Sequence, residues 1–364
     1  MEPANLVIVI GPPAVGKMTV GRALARLCGM GLFHNHASIE PFLEVFEYGS
    51  ASFRRLSSGM RSRVFEEAAT TGRSLVFTYV WAFDSPSDRE AIDAWSKIFE
   101  DVGGKVFFVE LRATQQTRLA RNRTAERLRA KPSKLDVERS DRYVRVVDEQ
   151  HVLSSNGDFP YPDRHLVVQT EDLTPLEAAR RIRDHFGLPS APPRVERLGV
   201  EDADRLRTLR LRALQEAPDA FASTYEETAR RPPESWRTAL ADLATFFAVI
   251  DGEDVGMVRG APSSDCADDA FLLSMWVAPE ARGTGMGESL VTAVVDWARD
   301  AGFSRVVLEV GDHNAQAIAL YERMGFEPTG RTGRSDDVQR RCGARCGAMA
   351  HVRTLAALSI RIAR

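Results

Sequence analysis

FLLSMWVAPEARGTGMGESLVTAVVDWARDAGFSRVVLEVGDHNAQAIALYERMGF, residues 271–326, decides how the second half of the chain is read. An apolar run from Phe271 to Val277 stops at Pro279. Arg282-Gly283-Thr284-Gly285-Met286-Gly287 follows, and apolar residues then recur at helical spacing. Glycines placed at a helix start let backbone N–H groups approach a phosphate closely. A dinucleotide-binding reading fails here: Arg282 precedes the glycines, and no acidic residue closes the next strand where a ribose would be held. Glu309 lies inside that strand.

Read further along the chain, Arg282-x-x-Gly285-x-Gly287 resembles the Q/R-x-x-G-x-G/A pyrophosphate loop of the GNAT superfamily of acetyl-CoA-dependent N-acetyltransferases. Asn314-x-x-Ala317-x-x-Leu320-Tyr321-x-x-x-Gly325-Phe326 resembles its second cofactor motif, so the likeness spans residues 194–335. It implies a mixed-sheet α/β domain that binds acetyl-CoA. By the same likeness, Val277, Arg282, Gly283, Thr284, Gly285, Met286 and Gly287 surround the pyrophosphate, Asn314 steadies the pantetheine arm and Tyr321 protonates the departing thiolate. Glu309 falls where ribosomal-protein alanine acetyltransferases of the superfamily carry the base that deprotonates the acceptor ammonium. Taken alone, Glu309 reads equally as a buried carboxylate paired with an arginine, and Tyr321 as a core residue of an amphipathic helix. Ala217-Pro-Asp-Ala-Phe-Ala-Ser-Thr-Tyr225 resembles a stretch common in small-molecule and antibiotic-acetylating members, which makes Phe221, Ser223 and Tyr225 candidates to line the acceptor site.

The first half turns on LVIVIGPPAVGKMTVGRAL, residues 6–24. Leu6–Ile10 is continuously aliphatic, as a buried parallel strand is. Gly11 to Lys17 then fits G-x-x-x-x-G-K, a phosphate cradle of backbone N–H groups with a lysine charge. Met18 stands where the magnesium-ligating hydroxyl usually falls, and Thr19 comes next. The stretch resembles adenylate-kinase-type loops, and residues 1–187 resemble the P-loop kinases grouped with shikimate and adenylate kinases. That likeness implies ATP bound at Gly11, Gly16, Lys17, Met18 and Thr19, with Thr19 on phosphate or a magnesium-bound water; Asp84, by its expected place at the sheet edge, is suited to hold Mg2+ as well. Asp84 is expected at the carboxyl edge of the sheet after a strand read over Ser74–Phe83, as catalytic carboxylate or as a helix N-cap. Residues 118–134, with Arg121, Arg123 and Arg127, are expected to form a flap over the transferring phosphate or a solvated basic helix. His34-Asn35-His36 is expected to meet an acceptor or a metal, or to cap the next helix.

Composition bounds the rest. The 364 residues suit two domains, and the net charge of −3 argues neither for nucleic acid nor for a membrane surface. No charged leader and no run near a membrane span is evident, which points to a cytoplasmic protein. Four cysteines do not read as a disulfide framework. The expected order is a P-loop domain over 1–187, a Pro-rich linker over 188–193, a GNAT domain over 194–335 and an atypical arginine-rich tail over 336–364. The tail is expected to add nothing to stability, although Thr354–Ile362 is apolar enough to serve as a last strand. Its Cys342, Cys346 and His351 lack a fourth ligand and zinc spacing. Three functions compete: a bifunctional enzyme that acetylates a small polar amine and phosphorylates a hydroxyl, a protein N-terminal acetyltransferase with a nucleotide-dependent accessory domain, and a non-catalytic ATP/acetyl-CoA sensor.

Overall fold

A computed structural model describes residues 3–123, 137–221, 223–263, 266–334 and 354–362. Arg127, Cys342, Cys346 and His351 lie outside the described residues. The chain divides into two compact units, residues 1–191 and 192–364. Among the described residues, no helix is long and apolar enough to cross a membrane.

The first unit is a five-stranded parallel sheet in the order β2-β3-β1-β4-β5. Its strands are β1 Leu6–Ile10, β2 Gly31–His34, β3 Leu75–Thr78, β4 Val106–Arg112 and β5 His165–Gln169. Its helices are α1 Lys17–Cys28, α2 Glu40–Leu43, α3 Ala51–Thr70, α4 Pro86–Glu100, α5 Gln115–Asn122, α6 Val137–Gln150 and α7 Pro175–Phe186. Side chains alternate across a strand, so central β1 feeds two cores at once. Leu6, Ile8 and Ile10 join one with Phe65, Phe77 and Phe108. Val7 and Val9 join the other with Leu24 of α1 and Ile182 of α7. That double burial is why β1 shows no polar alternation. The capping box at Thr174–Glu177 starts α7, and Gly187, at φ 61°, ends it.

A buried carboxylate lies beneath the loop that follows α6. Glu110 on β4 is 0% exposed. It accepts from Arg112 Nε (2.7 Å), Ser154 Oγ (2.8 Å) and Ser155 N (3.3 Å), and His165 Nε2 lies 3.3 Å away. Burial raises its pKa, but the hydrogen bonds from His165, Arg112, Ser155 and Ser154 outweigh that and hold it well below the usual carboxylate range.

The second unit is a seven-stranded sheet in the order β11-β12-β10-β9-β8-β7-β6. The strands are β6 Arg194–Arg197, β7 Ala244–Ile250, β8 Glu253–Pro262, β9 Asp269–Val277, β10 Arg305–Gly311, β11 Glu327–Arg334 and β12 Thr354–Arg361. The helices are α8 Ala203–Glu216, α9 Tyr225–Ala229, α10 Pro233–Asp242, α11 Met286–Asp300 and α12 Ala315–Arg323. Asp251 (φ 48°) and Gly252 (φ 76°) make the tight β7–β8 turn. All neighbours pair antiparallel except β9 and β10, which run parallel.

The tail holds a strand within Thr354–Ile362, where one was expected, although the domain was expected to close at residue 335. β12 lies between β10 and β11 and pairs with β10 from Arg305↔Arg361 to Gly311↔Leu355. Residues 354–361 therefore complete the sheet rather than trail from it, and the domain does not close at residue 335. Leu358, at 2% exposure, is part of the core.

Candidate functional site

The second unit's site begins where two parallel strands part. β9 and β10 pair only over Asp269–Leu272 and Arg305–Leu308. Beyond that, β9 continues to Val277 and β10 to Gly311. The divergence has a local cause: Met257 faces Trp276 while Arg259 faces Leu273, so β9 carries an extra residue there, with Ser274 at φ 56°. Such a bulge bends its strand out of register. Glu309 is the first residue of β10 past the last β9 pair. Strand alternation turns it away from core residues Leu308 and Val310, onto the half-buried face.

The glycine turn lies at the end of β9. Gly283 (φ 79°) and Gly285 (φ 84°) are left-handed, and Gly285 precedes α11 with no side-chain cap. A Cβ built on either would meet nothing within 4 Å, so the turn is open outward. Its first-turn N–H groups lack intrahelical acceptors and carry the positive end of the helix dipole. Thr284 Oγ1 donates inward to Ala281 O (2.7 Å). Gly287 is constrained instead: a Cβ there would lie 3.3 Å from Leu320 and 3.7 Å from Met275, which brings α12 and β9 against the start of α11. Arg282 turns aside, its Nε donating to Val277 O (3.1 Å) and its Nη2 to both carboxylate oxygens of Glu216 (3.0 and 2.9 Å). Asn314 Oδ1 accepts from Ala317 N (3.1 Å), which commits that oxygen to capping α12. Tyr321 is 4% exposed with its ring 5.7 Å from Phe326, and burial pushes its phenol well above the usual range. Phe221 stacks under Arg210 at 4.1 Å, and Arg210 Nη2 donates to Ser223 Oγ (2.9 Å).

Residues 210–326 match the acetyltransferase (GNAT) family. The second unit carries a GNAT acetyltransferase domain. Around it, the chain is 41% identical over 89 residues to "Probable N-acetyltransferase camello" of Xenopus tropicalis, covering 24% of this chain and 41% of that protein. It is 35% identical over 101 residues to N-acetyltransferase 8 of Homo sapiens, covering 26% and 44%. It is 33% identical over 142 residues to the mycothiol acetyltransferase of Salinispora arenicola (strain CNS-205), covering 36% and 43%. The chain thus spans less than half the length of these relatives. Among solved structures, a GNAT-family acetyltransferase from Streptococcus pneumoniae aligns with a TM-score of 0.39 and 16% identity, over 47% of this chain and 100% of that one.

The first unit also presents a strand, a glycine turn and a helix, but the turn is closed. Gly11 has φ 136°, and a Cβ there would lie 2.5 Å from Leu111 O on β4, so only glycine fits. Ala14 (φ 64°) and Gly16 (φ 104°) complete the turn before Lys17 opens α1. Lys17 Nζ donates to Gly11 O (2.6 Å) and Pro12 O (2.7 Å). Arg118 donates to Pro13 O (3.3 Å) and pairs with Asp148; Arg121 donates to Val15 O (3.2 Å) and Thr170 Oγ1 (2.9 Å). Met18 and Thr19 are half-buried in the first turn of α1.

Two expected members of that site have partners of their own. β3 ends at Thr78, and exposed Asp84 lies on the loop beyond it, accepting from Val152 N (3.0 Å) with His151 Nδ1 3.4 Å away. Arg123 pairs with Asp141 of α6 (2.8 Å), unlike Arg121, which reaches the turn. His34 Nδ1 accepts from Ala37 N (3.2 Å), so it caps a short helical turn.

Sequence reasoning missed two residues. Arg61 on α3 donates to Asn35 Oδ1 and Ser38 Oγ (both 2.8 Å) and lies 5.7 Å from the ring centres of Tyr79 and Trp95. Burial lowers its pKa from the ordinary arginine value. Its signal was available: Phe53, Ser57, Arg61 and Phe65 are four apart, which places an arginine on a buried stripe. Glu216, which holds Arg282, has no motif signal; it acts across a wide gap in sequence.

Proposed function

We propose that the GNAT domain transfers acetyl from acetyl-CoA to the amine of a small polar acceptor. The observation that carries this is the parting of β9 and β10 beside an open glycine turn: a cleft in the sheet flanked by an uncapped helix start. Bound coenzyme A thioester supplies an activated acetyl group. The amides of Gly283, Thr284, Gly285 and Met286, with the α11 dipole, then hold its pyrophosphate, and Val277 and Gly287 border that contact. Glu309, beside the parting, takes the acceptor proton, and Tyr321 delivers one to the leaving thiolate. A phenol kept protonated by burial is suited to that donor role. With its oxygen on the helix cap, Asn314 can offer a pantetheine arm only its amide nitrogen.

A panel of small amines with labelled acetyl-CoA tests this, led by the acceptor type named in the Salinispora relative, with N-terminal peptides as the competing class. Glu309→Gln is expected to cost about 10²-fold in turnover, falling most steeply at low pH, and Tyr321→Phe about 10-fold or more. Near-wild-type rates for both on an accepted amine would overturn the catalytic pair.

For the first unit we propose a nucleotide site, ATP with Mg2+, at Gly11–Thr19. The closed turn supports this reading, because Lys17 and Arg121 already stand on it and can exchange carbonyl oxygens for phosphate oxygens. Arg61, walled by Tyr79 and Trp95, suits an anionic acceptor there. Titration with MgATP is the test: Lys17→Ala should weaken binding at least 10-fold while coenzyme A binding is retained. Intact protein that binds no nucleotide would overturn it.

A further inference from the structure

Glu216 is the last residue of α8, where a carboxylate opposes the negative end of the helix dipole. A residue that breaks a local rule calls for a compensating role. Its partners supply one. Both oxygens accept from Arg282 Nη2, and Oε2 also accepts from Nε1 of Trp276 (2.9 Å), a β9 side chain only 4% exposed. Arg282 Nε in turn holds Val277 O, the last residue of β9. One carboxylate thus ties the end of α8 to the end of β9 and to the first residue of the glycine turn.

We propose that Glu216 is a positioning residue that braces the Arg282–Gly287 turn, leaving its amides, rather than the Arg282 charge, to read the anionic group of the ligand. The inference rests on the acetyl-CoA reading above. The brace is needed for a physical reason: Gly283 and Gly285 have no packing neighbours on their outer side and the largest backbone freedom of any residue. An unbraced turn would sample many conformations and bind weakly. Glu216 holds it in the form whose N–H groups converge. It also neutralises the guanidinium, so Arg282 does not swing across the anion site. A neighbouring pair reinforces the same corner: Arg212 of α8 lies 5.6 Å from the Trp276 ring and pairs with Glu280 just before the turn.

The test uses full-length protein, with Glu216→Gln and Arg282→Gln made singly and together. The glutamine keeps an acceptor for Trp276 but loses the ion pair. In ligand-free protein, hydrogen exchange at residues 283–286 should quicken in each single variant. Titration with coenzyme A should show a Kd raised about 5-fold for each, and a double variant no weaker than the weaker single, the non-additivity expected of one shared interaction. Additive losses, unchanged exchange, or tighter binding by Glu216→Gln would each overturn the brace. Wild-type protein that fails to bind coenzyme A would instead overturn the acetyl-CoA reading, while the exchange result still decides whether the brace exists.

Discussion

The chain builds a strand, a glycine turn and a helix twice, and the two turns are made in opposite ways. In the first unit, Gly11 is forced by the Leu111 carbonyl on the neighbouring strand, and Lys17, Arg118 and Arg121 occupy the turn's own carbonyls. In the second, Gly283 and Gly285 face empty space, and the nearby cation is drawn off by Glu216. The same local motif is therefore held by steric closure and cations in one case, and by a brace acting from outside in the other. A glycine pattern reports that a backbone must turn sharply; it does not say what keeps it there.

The largest expected effect separates the two by sterics. Gly11→Ala must fit a Cβ against Leu111 O at φ 136°, so it should destabilise the first unit by about 3 kcal/mol or more, read as a lower urea midpoint. A loss below about 1 kcal/mol would show that the loop relaxes freely and that closure is not steric. Next comes the open turn. Coenzyme A at about 100 times its Kd should stabilise the second unit by about 2.7 kcal/mol, and Gly285→Glu should abolish that shift by setting a negative charge at the helix start. An unchanged shift would break the assignment of the turn. The smallest effect is Gly283→Ala, about 1 kcal/mol from the left-handed φ alone, since its Cβ meets nothing.

A further prediction concerns pH and the buried carboxylate of the first unit. Glu110 has its pKa lowered in the folded state, so its contribution is fully present above the unfolded value, near 4.3, and is lost as pH falls below it. Urea denaturation of the first unit, followed by hydrogen exchange of β1 and β4 amides, should show stability dropping below about pH 4.3, with a shallower drop in Glu110→Gln. Equal slopes would remove Glu110 from the account.

What the residues announced in advance were the two glycine turns, which are set by neighbours in sequence. What they concealed depended on distant partners. The run Ser74–Phe83 reads as one strand, yet the chain leaves the sheet after Thr78, because Tyr79, Trp81 and Phe83 pack as aromatics on Trp95, Phe108 and Phe159 instead. Asp84 therefore lies on the loop beyond Thr78 rather than directly at a strand end. In the tail, residues 354–362 could be read as a candidate strand, but not its place between β10 and β11, which precede it in the chain.

That last strand also fixes an order of events during synthesis. The first unit holds all five of its strands by residue 169, so a nascent chain can fold it while the remainder is still being made. The second cannot set β12 beside β10 until residue 361 has been added. Until then β10, with Glu309 on it, has an unfilled edge open to any passing strand. Translation therefore delivers a finished first unit attached to a half-made sheet, and the acetyltransferase domain is the half that ribosome pausing, early termination or C-terminal trimming would deny to the cell.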